Sequence, residues 1–251
     1  MPLPIVIANW KMNPLTFKEA ERLLRTVKKG LSKVRDVEVV ICPPFTYILN
    51  FKSSASNLSL GGQDLFWENK GAYTGEISSL ILKDCGCQYV IIGHSERREY
   101  LVETNEMINK KVKAALKNRL NPILCLGEKA EQREEASQVI RKQLESALEN
   151  IPASRLGTYF CLAYEPIWAI GTGQTPSSDE IMSTVLLIRQ LLTKMYDRKT
   201  AEQIRILYGG SLTAQKAEHF VKEAGLAGFL VGGASLNATE FISIVKTTAK
   251  L

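Results

Sequence analysis

Eight short apolar runs, separated by longer amphipathic stretches, recur from one end of this chain to the other and constrain its fold more than any other feature. The runs lie at 4–8, 37–42, 58–62, 89–93, 122–126, 159–164, 204–208 and 228–231. They lack clean period-two alternation, which is the pattern of parallel strands covered on both faces. Helical periodicity falls between them, at about 17–34, 45–56, 79–86, 105–119, 130–150, 178–196, 213–225 and 238–249. Eight βα units predict a closed (β/α)8 barrel, although an open doubly wound sheet shows the same alternation. The positions of the chemistry-bearing residues favour the barrel. Asn9 to Lys11, His94 to Glu96, Glu165, Gly209 to Ser211, and Gly232 with Gly233 all follow directly on the C-terminal ends of runs. A barrel gathers such positions around one mouth, where active sites of this architecture are built. With 251 residues and no low-complexity linker, a single barrel domain spanning 1–251 is expected.

Composition excludes several classes. No stretch approaches the roughly 18 uninterrupted apolar residues of a membrane helix. The start, Met1-Pro2-Leu3-Pro4, lacks the charged opening and cleavage site of a secretory signal, so a cytoplasmic protein is expected. The five cysteines, at 42, 85, 87, 125 and 161, sit mostly in apolar runs and read as reduced core residues; Cys85 and Cys87 have no second ligand pair, so no metal site is expected. A formal charge of +6 is spread along the chain without clustered stacking aromatics, which predicts no nucleic-acid partner.

The chemistry concentrates in a few places. Glu165 ends an apolar run and is followed at once by Pro166, which bars a helix, and then by Ile167, Trp168, Ala169, Ile170, Gly171, Thr172, Gly173, Gln174, Thr175 and Pro176. This reads as a carboxylate base with a lid attached, its loop stiff at the start and freed by glycines beyond. Lys11 would project a positive charge over the mouth. His94 is one of two histidines, and a helix beginning just after it would aim backbone N–H groups at the ring and keep it neutral. His219 has no such setting and is assigned no role. Three glycine clusters, around Gly171, at Gly209 to Ser211, and at Gly232 and Gly233, offer main-chain N–H groups to an anion. The latter two follow the seventh and eighth runs, the usual phosphate position in a barrel. No GxxxxGK[ST] or GxGxxG run is present, so neither a nucleoside triphosphate nor a dinucleotide is implied.

The segments NWKMN (9–13), GHSERR (93–98), LCLGE (124–128), AYEPIWAIGTG (163–173), YGGS (208–211) and GFLVGGASL (228–236) together resemble the triosephosphate isomerase family in order and spacing, across nearly the whole chain. The resemblance implies interconversion of dihydroxyacetone phosphate and D-glyceraldehyde 3-phosphate, in glycolysis and gluconeogenesis, with no cofactor or metal. By matching motifs, Glu165 would be the base, His94 the electrophile, Lys11 and Asn9 substrate-binding groups, and Glu96 a partner beside Lys11. Gly171, Ser211, Gly232 and Gly233 would hold the phosphate. The family is itself a familiar illustration of a carboxylate base working with a neutral histidine under a closing loop, so these roles come with the resemblance.

The stretch 63–76 resembles the family's long third loop, which inserts into a second subunit. A homodimer is implied, with Thr74 reaching the partner's site and Glu76 pairing with Arg97 across the interface. Two departures stand out. Asp64 occupies a position where the family commonly has Asn. Pro176, at the far hinge of the lid, has no N–H to donate to the Tyr208 hydroxyl. Another phosphate-binding barrel isomerase, or a catalytically dead barrel, would share the glycine clusters but has no reason to carry Lys11, His94 and Glu165 together.

Overall fold

The computed structural model describes residues 3–51, 58–169, 175–223 and 225–250. Eight parallel strands, β1 (Ile5–Asn9), β2 (Glu38–Cys42), β3 (Leu58–Gly62), β4 (Cys87–Ile92), β5 (Asn121–Leu126), β6 (Cys161–Tyr164), β7 (Arg205–Tyr208) and β8 (Gly228–Val231), pair in chain order and close into a barrel. Closure is made by β1 and β8, with Ile5 opposite Gly228 and Ala8 opposite Val231. Gly228 permits this approach, because a Cβ there would stand 1.8 Å from the Ile5 carbonyl oxygen.

The missing alternation in the sequence now has its cause. Ile5, Ile7, Val40, Tyr89, Ile91, Ile123, Ala163, Leu207 and Leu230 fill the barrel interior. Their neighbours Val6, Ala8, Val39, Ile41, Val90, Ile92, Leu124, Leu162 and Val231 pack outward under the helices. Both faces are apolar, so hydropathy carries no period of two.

The outer layer comprises α1 (Phe17–Gly30), α2 (Phe45–Ile48), α3 (Ser79–Asp84), α4 (Ser95–Tyr100), α5 (Asn105–Lys117), α6 (Ala136–Ala147), α7 (Ser178–Met195), α8 (Arg198–Gln203), α9 (Ala214–Glu223) and α10 (Ala238–Thr248). Sequence periodicity finds eight of these and misses α4 and α8, whose residues SERREY and RKTAEQ carry too few apolar side chains to mark a buried face. The pattern at 130–150 also divides, since Ala130–Glu135 forms a 3-10 turn ahead of α6. Strand boundaries move by one or two residues. β4 ends at Ile92 because Gly93 turns out of the ladder at a φ of +69°, and β6 begins only at Cys161, after Phe160 bonds back to Gly157 in a turn.

One buried charge cluster braces the segment on which the site depends. Lys111 of α5 donates to both carboxylate oxygens of Asp64, at 2.7 Å each, and to Glu103. Arg97 of α4 reaches the same two acids, at 2.8 Å to Asp64 and 2.5 Å to Glu103. Two bases thus balance two acids, and α4 is tied to α5 and to the loop after β3. Burial pushes the Asp64 carboxyl up to about 6, a desolvation that Lys111 and Arg97 oppose. Removing one base leaves buried negative charge uncompensated, so Lys111→Met is expected to cost about 3–5 kcal/mol of stability. Urea unfolding followed by tryptophan fluorescence checks this, and a loss below about 1 kcal/mol would mean that water already screens the cluster.

Candidate active site

At the C-terminal end of the barrel the strands surround a cavity of about 420 Å³, lined among others by Asn9, Lys11, His94, Glu165, Ser211, Gly232 and Gly233. These residues enter from the ends of five strands, β1, β4, β6, β7 and β8. Asn9 closes β1, and its Oδ1 accepts the Lys11 N–H at 3.1 Å. That bond helps hold Lys11 at a φ of +54°, a left-handed conformation that costs an ordinary side chain about 1–2 kcal/mol. Gln63, following β3, donates to the Lys11 carbonyl at 2.7 Å and to the Cys42 carbonyl at 2.9 Å, clamping the strained turn to the end of β2. The lysine head meets Glu96 Oε1 at 2.5 Å, as the matching motifs imply.

His94 follows β4 and caps α4. Its Nδ1 accepts the Glu96 backbone N–H at 3.2 Å, so the ring proton belongs on Nε2. Nε2 points into the barrel mouth and lies 3.1 Å from Glu165 Oε1, though off the line of a hydrogen bond. Glu165 is only 1% exposed. Its Oε2 accepts the Ser95 backbone N–H at 3.0 Å, while Oε1 has no hydrogen-bond partner among the described residues. A buried carboxylate with one oxygen unsatisfied, beside a ring N–H and a lysine, can accept a proton and leave two donors for the oxygen that becomes negative.

On the opposite wall, Gly232 caps a 3-10 turn that Gly233 opens. A Cβ at Gly232 would come within 3.2 Å of Lys11 Cε, whereas at Gly233 it would meet nothing within 4 Å. Main chain therefore faces the cavity here, the arrangement that suits an oxyanion. Ser211 after β7 also lines the cavity, and its Oγ donates to the Ala169 carbonyl at 2.7 Å.

Of the expected lid, Pro166 to Ala169 and Thr175 to Pro176 are described; Ile170, Gly171, Thr172, Gly173 and Gln174 lie outside the described residues. The near hinge rests on Glu128, a residue that sequence reasoning did not single out although it ends the LCLGE segment. Its Oε1 accepts from Trp168 Nε1 at 2.8 Å and from the Tyr164 hydroxyl at 3.0 Å, while burial raises its pKa. The Arg133 guanidinium lies 4.0 Å from the centre of the Trp168 ring. At the far hinge Lys216 Nζ donates to Thr175 Oγ1 at 2.5 Å, and Pro176 is buried. Gln63 and Ser95 were also missed. Each abuts a residue that was singled out, but their contributions, an amide spanning two strands and a main-chain N–H, leave no mark in residue type.

The residues expected at an interface do not face the cavity. Thr74 and Glu76 are exposed on the third loop, where Phe66 stacks on Trp67 and Tyr73 at 4.1 and 4.5 Å. Within its own chain Arg97 is engaged by Asp64 and Glu103. The Asp64 departure is thus matched by two cations. The Tyr208 hydroxyl is buried with no hydrogen-bond partner among the described residues, and that burial raises its pKa. A buried orphan hydroxyl stabilises nothing, so Tyr208→Phe should leave the unfolding free energy unchanged or raise it by up to about 1 kcal/mol. Denaturant titration that instead showed a loss above about 1 kcal/mol would reveal a bond made in the folded protein.

Comparison with known proteins accords with this geometry. A family profile described as "Triosephosphate isomerase" matches residues 4–248. The chain is 49% identical to the triosephosphate isomerase of Alkaliphilus oremlandii over 249 residues, covering 98% of this chain and 99% of the relative. It is 45% identical to the enzyme of the same name from Dictyoglomus thermophilum over 247 residues, covering 97% of this chain and 98% of that one. By sequence along almost its whole length, and by a closed barrel of eight parallel strands, the chain belongs to the triosephosphate isomerase family.

Proposed function

We propose that the mouth cavity is where this isomerase works, with Glu165 as base, His94 and Lys11 as donors to the reacting oxygens, and Asn9 and Glu96 fixing the lysine. The reaction is that of the family, interconversion of dihydroxyacetone phosphate and D-glyceraldehyde 3-phosphate, a step of glycolysis and gluconeogenesis. The observation that carries the assignment is the convergence of a buried carboxylate, a ring N–H and an ammonium group on one cavity.

The chemistry follows from those groups. Glu165 takes the proton from the carbon beside the carbonyl, leaving an enediolate whose oxygens carry the negative charge. Nε2–H of His94 and the Lys11 ammonium receive that charge. The hydroxyl proton passes to the oxygen of the former carbonyl by way of the donors that face the two oxygens, Glu165 returns its proton to the neighbouring carbon, and the carbonyl has moved by one position. One well-aimed donor contributes about 3–4 kcal/mol to such a step, and a positioned base about 10²–10⁴ in rate. Ser211, Gly232 and Gly233 hold the phosphate through hydroxyl and main-chain N–H groups, with Gly171 contributing from the lid. Closure of the lid excludes water and holds the ester where the enediolate cannot expel phosphate.

The working unit in this reading is a homodimer of single-domain barrels in the cytoplasm. Its support is a set of highly exposed apolar side chains, including Met12 at 86%, Leu15 at 85%, Tyr100 at 77% and Val102 at 73%, together with the aromatic cluster of the third loop. Water disfavours such exposure on a monomer. Thr74 and Glu76 on that loop would meet the second subunit.

Two measurements test the reading. Shortening the base by one methylene in Glu165→Asp should lower kcat by about 10²-fold with little change in KM, because a displacement near 1 Å is enough to spoil proton transfer. A kcat within twofold of the parent in a coupled triose phosphate assay would remove Glu165 from that role. Dilution with sedimentation analysis tests the dimer: activity should fall as the species of half mass appears, and a fully active monomer would refute the interface.

A further inference from the structure

We propose that Gln143, on the outer helix α6, is a positioning residue for Glu165 and acts through the main chain of Gly127. The proposal rests on Glu165 being the base. It begins at the upper end of the β5–β6 ladder, where Glu165 N–H donates to the Leu126 carbonyl at 2.7 Å and Ile167 N–H donates to the Glu128 carbonyl at 3.0 Å. Those two carbonyls face β6. The intervening residue, Gly127, therefore turns its own N–H and C=O the other way, toward β4. That strand cannot receive them, since its pairing with β5 ends at Ile92 and Leu124 and the chain leaves at Gly93 for α4.

A single side chain takes both groups instead. Gly127 N–H donates to Gln143 Oε1 at 2.9 Å, and Gln143 Nε2 donates to the Gly127 carbonyl at 2.9 Å. A primary amide presents one donor and one acceptor at the spacing of a strand edge, so Gln143 completes the ladder where β4 has run out. The helix that carries it is anchored by Ile140, Leu144 and Ala147, all buried.

Gly127 in turn is pressed against the base. A Cβ on Gly127 would stand 1.8 Å from the Glu165 carbonyl oxygen and 2.7 Å from its carbonyl carbon. On the far side Gly209 N–H donates to the Tyr164 carbonyl at 2.7 Å, and a Cβ there would stand 2.9 Å from Glu165 Cγ. Glu165 thus leaves the barrel through a slot whose two walls have no side chains. Hydrogen bonds of β6 and β7 fix one wall, and Gln143 fixes the other. If the Gly127 wall shifts, the peptide from which the carboxylate projects shifts with it.

The test compares Gln143→Met, which keeps length but neither donates nor accepts strongly, with Leu144→Ala on the core face of the same helix, and with Glu165→Ala. For each folded variant kcat, KM and the primary deuterium isotope effect on kcat are measured, using substrate deuterated at the carbon that loses its proton, together with the denaturation midpoint. Gln143→Met is expected to lower kcat about tenfold or more, leave KM within about twofold, and raise the isotope effect as proton abstraction becomes rate-limiting. Leu144→Ala should lower the midpoint at least as far while keeping kcat and the isotope effect near the parent's. Equal loss of kcat with the same isotope signature in Leu144→Ala would overturn the proposal, since softening of the helix would then suffice.

A parental kcat and isotope effect in Gln143→Met, with Glu165→Ala inactive, would also overturn it while leaving the base assignment intact. Activity retained in Glu165→Ala would remove the base assignment and the proposal with it. Gln143→Glu keeps the acceptor for Gly127 N–H and loses the donor to its carbonyl, so it should show a smaller loss of the same kind. If Gln143→Met fails to fold, parental kinetics in Gln143→Glu count against the proposal.

Discussion

Closure of the strand ladder between β8 and β1 is the constraint on which the rest of this molecule depends. An open parallel sheet would place the C-terminal ends of its strands along a line, with Asn9 at one place and Glu165 far along the row. Closing the ladder brings the strand ends carrying Asn9, His94, Glu165 and Gly232 around one cavity. The ladder also sets the depth of each group, because a residue's height in the mouth follows from its register. Glu165 is fixed from both sides in this way, by Leu126 on β5 and by Gly209 beyond β7.

Charge is distributed to suit that frame. The interior of the barrel is apolar through its middle and polar at both ends. At the N-terminal end Arg205 meets Glu38 at 2.7 Å and the Tyr89 hydroxyl at 2.9 Å, closing the barrel with a buried polar cluster. At the mouth, charges are held outside the strand layer by short elements. The helix α4 is six residues long, too short to be stable alone, yet its first turn supplies the Ser95 N–H to Glu165 and the Glu96 N–H to His94. Its stability comes from outside, through Arg97 and the acids Asp64 and Glu103. Arg98 adds bonds to the carbonyls of Gly93 and Cys125, its own charge disfavoured by burial.

The two departures from the family pattern have opposite characters. Asp64 adds a negative charge in a buried place, and Lys111 and Arg97 absorb it, so the substitution is compensated by its surroundings. Pro176 offers no backbone N–H at the far hinge, and among the described residues the Tyr208 hydroxyl has no partner. The first changes the electrostatics beneath α4 without exposing anything to solvent. The second leaves the far hinge without a main-chain donor at that position.

Sequence alone determined the eight-unit architecture and the placement of Glu165 at a strand end, and singled out Lys11, His94 and the glycines after the seventh and eighth strands as candidates. All of these are local: apolar runs, turn residues and motif spacing are written in consecutive residues. Periodicity did not show α4 or α8, whose polar sequences mark no buried face, although a helix start was expected just after His94. Tertiary structure decided which groups meet. Lys11 finds Glu96 across 85 residues and Ser95 finds Glu165 across 70. Gln63 and Gln143 gain their roles only as amides that bond the main chain at strand ends, and Glu128 only as an acceptor for the Trp168 and Tyr164 side chains. Those contacts depend on barrel closure and strand register, which are set by the packing of all eight strands together, and no single segment carries that information.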